Sequence, residues 1–213
     1  MNESPFDIYA DKYDMWYEEH YAVYESELEA IRELLPAVIT GKSLEIGAGT
    51  GRFASALGIS YGLDPSGKML RMAGKRGVGP IRGVAEHLPL KSSSIGLVLI
   101  VTSLCFMDTE RTLSEIYRVL VPGGELVVAF IERKSSLGTK YHSESSESDF
   151  YRKATFHSAS ELIEVLREQG FHGPATRQTL FKPLSEIKVS ENPEKGCGKG
   201  SFVVIRTTSI KKK

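Results

Sequence analysis

The sequence predicts an α/β protein whose sheet is largely parallel and covered by helices on both faces. Two observations carry this reading. Between residues 43 and 132, short apolar runs alternate with amphipathic stretches, the pattern of strand–helix–strand units. The two strongest runs, "IGLVLIVTS" (95–103) and "ELVVAFIE" (125–132), are apolar on both faces, as strands buried from both sides must be.

Ahead of the sheet, residues 5–35 read as helical. Leu28, Ile31, Leu34 and Leu35 recur at spacings of three and four, one apolar stripe, and Pro36 stops it. "SLEIG" (43–47) is a first short strand, and "RFASALG" (52–58) is a short helix ended by Gly58. "ISYGLD" (59–64) is the second strand, "SGKMLRMAGKRG" its following helix, and "PIRGVA" (80–85) the third strand. After the fourth strand, "TERTLSEIYRVL" (109–120) is an amphipathic helix closed by "PGG", and the fifth strand follows. Residues 133–150 are polar and serine-rich and read as a loop. "SASELIEVLREQG" (158–170) is a helix between a serine cap and Gly170. Two late strands lie around "ATRQTLF" and "SFVVIRTT", and the terminal "KKK" reads as a solvated tail. With no repeat and no long linker, one domain is expected over 1–213. Its parts are an N-terminal helical lid (1–40), a cofactor-binding core (41–132), and a substrate loop with C-terminal strands (133–213).

Composition narrows the function. Hydrophobic residues make up 41% and charged residues 25% of the 213, and 27 basic side chains balance 27 acidic ones. A protein that grips a phosphate backbone usually carries a basic excess, so no nucleic-acid partner is expected. The longest apolar run is too short to span a bilayer, and no secretory leader is legible, so no membrane partner and a cytoplasmic location are expected. Cys105 and Cys197 sit in no metal-ligand spacing and make no disulfide framework, so no metal is expected.

"LEIGAGTGRF" (44–53) is the stretch that carries chemistry. Gly47, Gly49 and Gly51 alternate between a strand and a helix, as in loops that approach a nucleotide with bare backbone. A dinucleotide loop would place its third glycine at position 52, where Arg52 stands, and a phosphate-cradling loop would continue into G-K-[ST], which is missing. Glu45 precedes the first glycine by two residues, and Asp64 closes the second strand. A carboxylate at that strand end is placed to accept ribose hydroxyls.

In this order, "FDIYADKYDMW", "LEIGAGTGRF", "YGLDPSGKML", "GVAEHLPL", "IGLVLIVTSLCF" and "RVLVPGGELVV" resemble a class I S-adenosylmethionine-dependent methyltransferase. The similar group is methyltransferase type 11, with ubiquinone/menaquinone-biosynthesis and small-molecule enzymes. The resemblance implies a Rossmann-like, seven-stranded, mostly parallel sheet with the last strand antiparallel. It implies S-adenosylmethionine as cofactor, with its methionine and ribose side against Glu45, Gly47, Ala48, Gly49 and Gly51. It puts Asp64 on the ribose hydroxyls, Pro65 beside it, Met69 near the adenine, Ala85 and Glu86 at the adenine edge, and Val101 and Thr102 under the methionine. Tyr13 matches a position from which the N-terminal helix often reaches the cofactor. Two positions depart from the pattern: Val84 stands where an acidic residue is common, and Gly96 stands in place of the Asp of a Phe-Asp pair.

Methyl transfer from a sulfonium to a small-molecule acceptor is the function this implies. It needs alignment more than acid–base help, and alignment can contribute roughly 7–11 kcal/mol. Failure to find a base is therefore no objection, and the catalytic residues stay open. Candidates for the acceptor pocket are the tyrosine set of the N-terminal helices (Tyr9, Tyr13, Tyr17, Tyr21, Tyr24, with Trp16), the segment Ser103, Cys105, Phe106 and Asp108, and Tyr141 with His142. Asp108 is equally placed to cap the helix after it, and Cys105 reads as a small packing residue. The alternatives are a non-catalytic protein that binds S-adenosylmethionine and, opposed by Arg52, an NAD-dependent oxidoreductase.

Overall fold

In the computed structural model, which describes residues 5–148, 150–152 and 154–211, the chain builds one eight-stranded sheet. Three helices come first: α1 (Pro5–Ile8), α2 (Ala10–Glu19) and α3 (Tyr21–Arg32). Then follow β1 (Lys42–Ile46), α4 (Arg52–Ala56), β2 (Tyr61–Asp64), α5 (Gly67–Lys75), β3 (Gly79–Arg82), β4 (Ile95–Val101) and α6 (Thr109–Val119). The last part is β5 (Leu120–Ile131), α7 (Ser136–Glu144), α8 (Ala159–Glu168), β6 (Phe171–Thr179), β7 (Glu194–Lys195) and β8 (Phe202–Ser209). The spatial order is β3-β2-β1-β4-β5-β8-β6-β7. β3, β2, β1, β4 and β5 are parallel, and β8 runs antiparallel between β5 and β6.

Side-chain alternation divides the core in two. Leu44 and Ile46 of β1, Val98 and Ile100 of β4, and Leu126 and Val128 of β5 pack with α6 and α8 on one face. Leu97, Leu99 and Val101 of β4 and Val127 of β5 pack on the other face with Leu28 and Ile31 of α3, Phe53 of α4 and Ala73 of α5. Every residue of β4 is buried, which is why its sequence shows no alternation. Gly96 has a structural reason: a Cβ there would overlap the carbonyl of Thr40.

The structure corrects five expectations. The sheet has eight strands instead of seven, because Glu194–Lys195 pairs with Arg177 and Gln178 as a short edge. The serine-rich segment is not all loop: Ser135 accepts the Gly138 N–H and starts α7. "PGG" does not separate helix from strand; β5 already pairs at Leu120, and the glycines bulge before the register resumes at Glu125. Ser158 sits at the cap position of α8, but it is the Glu132 carboxylate that accepts the Ala159 N–H, at 2.6 Å. Of the terminal lysines, Lys211 donates to the Arg118 carbonyl at 2.9 Å, and the other two lie outside the described residues.

Candidate active site

Strand order reverses between β1 and β4, and the crevice at the carboxyl ends of those strands is where such sheets bind ligands. The loop leaving β1 enters that crevice with Gly47, Gly49 and Gly51 all at positive φ, 69°, 52° and 76°. Only glycine adopts this at no steric cost. A Cβ on Gly47 would also overlap the Ser103 side chain, which donates to the Ile46 carbonyl at 3.0 Å. On the β4 side the chain turns at Thr102, a non-glycine residue held at φ 48° by the bond from its N–H to the Ala129 carbonyl. Such strain clusters at ligand sites.

Asp64 ends β2 beside this loop. Its Oδ2 accepts the Gly49 N–H at 2.9 Å and its Oδ1 the Ser66 N–H at 2.8 Å. Burial raises its pKa above the usual aspartate value, against those two donors. A carboxylate has about four acceptor sites, so both oxygens can still accept a hydroxyl. Tyr13 lies over the same glycine, its ring edge 3.8 Å from the Gly49 Cβ position and its hydroxyl 2.9 Å from that of Tyr17. Burial pushes the Tyr13 phenol up to about 12, so it stays protonated. Tyr13, Gly47, Ala48, Gly49, Asp64 and Thr102 thus lie together around the loop at the carboxyl ends of β1, β2 and β4.

The other expected positions are less direct. Glu45 is buried at 2% exposure on the sheet face that packs against α3 and α4, with Oε2 unbonded. Burial raises its pKa to about 8. Gly51 starts α4 against Ala73, Pro65 is exposed, and Met69 is buried in the first turn of α5. Val101 is buried in the sheet, and Ala85 lies in the core. Glu86 accepts the Asp108 N–H at 2.9 Å, and Asp108 in turn caps α6 by accepting from Arg111. Burial pushes the Cys105 thiol up to about 12, so it is a packing residue and no thiolate nucleophile.

Arg52 has a use that no glycine-loop pattern foretells. Its Nε and Nη2 bond the two Asp14 oxygens at 2.8 and 2.9 Å, and Nη2 also bonds Glu18 at 2.6 Å. Arg76 adds a bond to Asp14 at 2.8 Å and another to the Thr50 carbonyl. Burial alone would raise the Asp14 carboxyl, but bonds from Arg52, Thr50 and Arg76 outweigh it and draw it down to about 2. Asp7 accepts the Ser66 hydroxyl, and Asp11 pairs with Lys68, both at the start of α5. Asp7, Asp11, Asp14 and Glu18 are spaced four, three and four apart, one helical face that grips the core. The sequence carried that signal.

A second wall is aromatic. Phe6 packs on Phe106 and Phe150 with centroids 5.2 Å apart in each case. Phe106 stacks on Tyr151, which stacks on Tyr141. Trp16 and Tyr24 pack toward Tyr17 and Phe53, Tyr21 is exposed, and His142 is exposed with its ring against Phe156.

The crevice fits S-adenosylmethionine. The arginines that flank the glycine loop, Arg52 and Arg76, are taken up by Asp14 and Glu18, and Asp64 stands at the strand end with acceptor capacity left for ribose hydroxyls. The comparisons agree. Residues 44–128 match the family described as a methyltransferase domain. The chain is 45% identical to an S-adenosylmethionine-dependent methyltransferase of Thermotoga maritima, described as a possible histamine N-methyltransferase, over 95% of this chain and 97% of that one, with a TM-score of 0.91. It is 40% identical to an uncharacterized protein of Methanocaldococcus jannaschii over 96% of this chain and 98% of that one. It is also 31% identical to YodH, an uncharacterized methyltransferase of Bacillus subtilis, over 70% of this chain and 69% of that one. The chain belongs to the S-adenosylmethionine-dependent methyltransferases.

Proposed function

We propose that the protein transfers a methyl group to a small-molecule acceptor enclosed between the sheet and its N-terminal helices, which serve as a lid. The observation that carries this is the shared contact at Gly49, which Asp64 holds from the sheet side and Tyr13 covers from the helix side. A lid seated on the cofactor loop gives an enclosed site suited to a small acceptor. When bound, S-adenosylmethionine supplies a methyl group on a sulfonium whose departure leaves a neutral thioether. In this reading Asp64 accepts the ribose hydroxyls, and the bare backbone of Gly47, Ala48 and Gly49 admits the methionine end. Gly51 lets α4 start close behind the loop. Val101 and Thr102 floor the site, while Pro65, Met69, Ala85 and Glu86 border the adenine. The aromatic wall excludes water and holds the acceptor in line, the main requirement for this displacement.

Titration calorimetry with S-adenosylhomocysteine and with NAD tests the cofactor assignment. Two charge-assisted hydrogen bonds are worth about 3 kcal/mol, so Asp64→Ala should weaken S-adenosylhomocysteine binding about 100-fold. Binding of NAD in its place would overturn the reading. Methyl transfer from labelled S-adenosylmethionine to a panel of small molecules, histamine among them, then tests turnover.

A further inference from the structure

One side chain under the N-terminal helices has no structural explanation. Glu27 of α3 is 5% exposed, yet among the described residues no hydrogen bond or ion pair satisfies its carboxyl. It lies near enough for its charge to act on the phenols of Tyr13 and Tyr17 from α2, Tyr141 from α7, and Tyr151 from the segment after it. Tyr13 is the residue that lies on Gly49, so the carboxyl and the cofactor loop share one neighbour. Tyr151 stacks between Phe106, just past β4, and Tyr141 of α7.

A lone carboxyl within a wall of aromatic rings is poorly suited to a neutral or anionic guest. Ring faces attract cations, and an unpaired buried carboxylate is costly until a cation joins it. Each chemistry asks for the same partner. Resting on the methyltransferase reading, we propose that the acceptor is a cationic amine, its ammonium held by Glu27 among the rings of Tyr13, Tyr17, Tyr141 and Tyr151. The phenols near Glu27 are all raised by burial and stay protonated, so the groups here that change charge are carboxyls: Glu27, and Glu45, which acts on Tyr13 from β1. Without a ligand, burial holds Glu27 up to about 8 and mostly neutral at pH 7. Arrival of an ammonium ion ionises it and releases a proton to solvent. For transfer, the ammonium nitrogen gives one proton to the carboxylate. Its freed lone pair forms the nitrogen–carbon bond as the sulfur–carbon bond breaks, and that electron pair stays on sulfur. The product is a methylated ammonium, and the proton on Glu27 leaves when the site opens.

The test uses the full chain saturated with S-adenosylhomocysteine, titrated calorimetrically with histamine, phenethylamine and 2-phenylethanol in buffers of different ionisation enthalpy. An amine should bind with release of about one proton at pH 6.5, and the alcohol should not compete with it. Glu27→Gln keeps the shape and removes the charge; it should weaken the amine by about 30-fold or more, abolish proton release, and leave S-adenosylhomocysteine affinity unchanged. Amines that bind the variant equally, an alcohol that binds as tightly as the amine, or no binding by either amine would overturn the proposal. Should the variant fail to fold, Glu27→Asp decides: it should bind the amine more weakly than the native protein, and equal binding would overturn the proposal. Failure of S-adenosylhomocysteine to bind at all would instead overturn the cofactor reading beneath it.

Discussion

Two carboxyls on the N-terminal helices live in opposite surroundings. Asp14 of α2 faces the sheet core through two guanidinium groups that make three bonds with it, and its pKa falls to about 2. Glu27 of α3 is more deeply buried, has no hydrogen bond or ion pair among the described residues, and rises to about 8. Burial pushes both upward; partners reverse the outcome at Asp14 and nothing reverses it at Glu27. The seam around Asp14 is a completed joint, since each charge in it is neutralised within the protein. The aromatic wall around Glu27 is finished only when something else enters. One region holds the helices down, and the other gives them something to close over.

Breaking the seam should have the larger effect on stability. Asp14→Ala leaves Arg52 and Arg76 without their shared partner in a site where the Asp14 and Arg52 side chains are each only 13% exposed. A loss of about 3 kcal/mol is expected at pH 7, read by chemical denaturation. The sign of its pH dependence follows from a depressed carboxyl. Its stabilisation is present above the ordinary aspartate value of 3.8 and is lost as pH falls toward 2, so the native protein and the variant should converge in acid. Convergence at alkaline pH instead would mean that the arginines act through another group.

Glu27→Gln should move stability the other way. A raised carboxyl contributes most below its unfolded value of 4.5, and that contribution is lost as pH rises through about 8. The variant should therefore match the native protein at pH 5 and melt several degrees higher at pH 8, at about 2–4 °C per kcal/mol for a chain of this size. Glu45, raised in the same way, keeps its share of the slope in both proteins. A variant that melts lower at pH 8 would show that Glu27 has a structural cation partner and belongs with Asp14 after all.

The two regions also differ in how far the sequence disclosed them. The glycine loop and Asp64 were legible because bare backbone at positive φ admits few alternatives and a strand end fixes the carboxylate beside it. The strand order through β5 followed from unbroken apolar runs. Asp14 and Arg52 were open to reading too, since the spacing of Asp7, Asp11, Asp14 and Glu18 is helical, but what they grip depends on tertiary placement. Glu27 was not legible. It sits among helix-favouring residues in "ESELEA", where a glutamate is ordinarily solvated, and only tertiary packing buries it. α7 was hidden too, because its serines suggest a loop, although one of them starts the helix.

The smallest effect should come from the pair that looks most like Asp14 on paper. Lys68 meets Asp11 at 2.7 Å, shorter than any of the three bonds to Asp14, but Asp11 is 74% exposed and Lys68 34%. Water competes for both ends, and holding two flexible side chains in one geometry costs entropy. Lys68 also stands in the first turn of α5, where a cation opposes the helix dipole. Lys68→Ala should therefore change stability by no more than about 0.5 kcal/mol, and that difference should vanish in 1 M salt, where screening acts over about 3 Å. Measured against Asp14→Ala in the same buffers, it separates burial from charge count. If the two substitutions cost the same, the seam is held by the number of its charges rather than by their removal from water. The contrast between Asp14 and Glu27 would then need another cause.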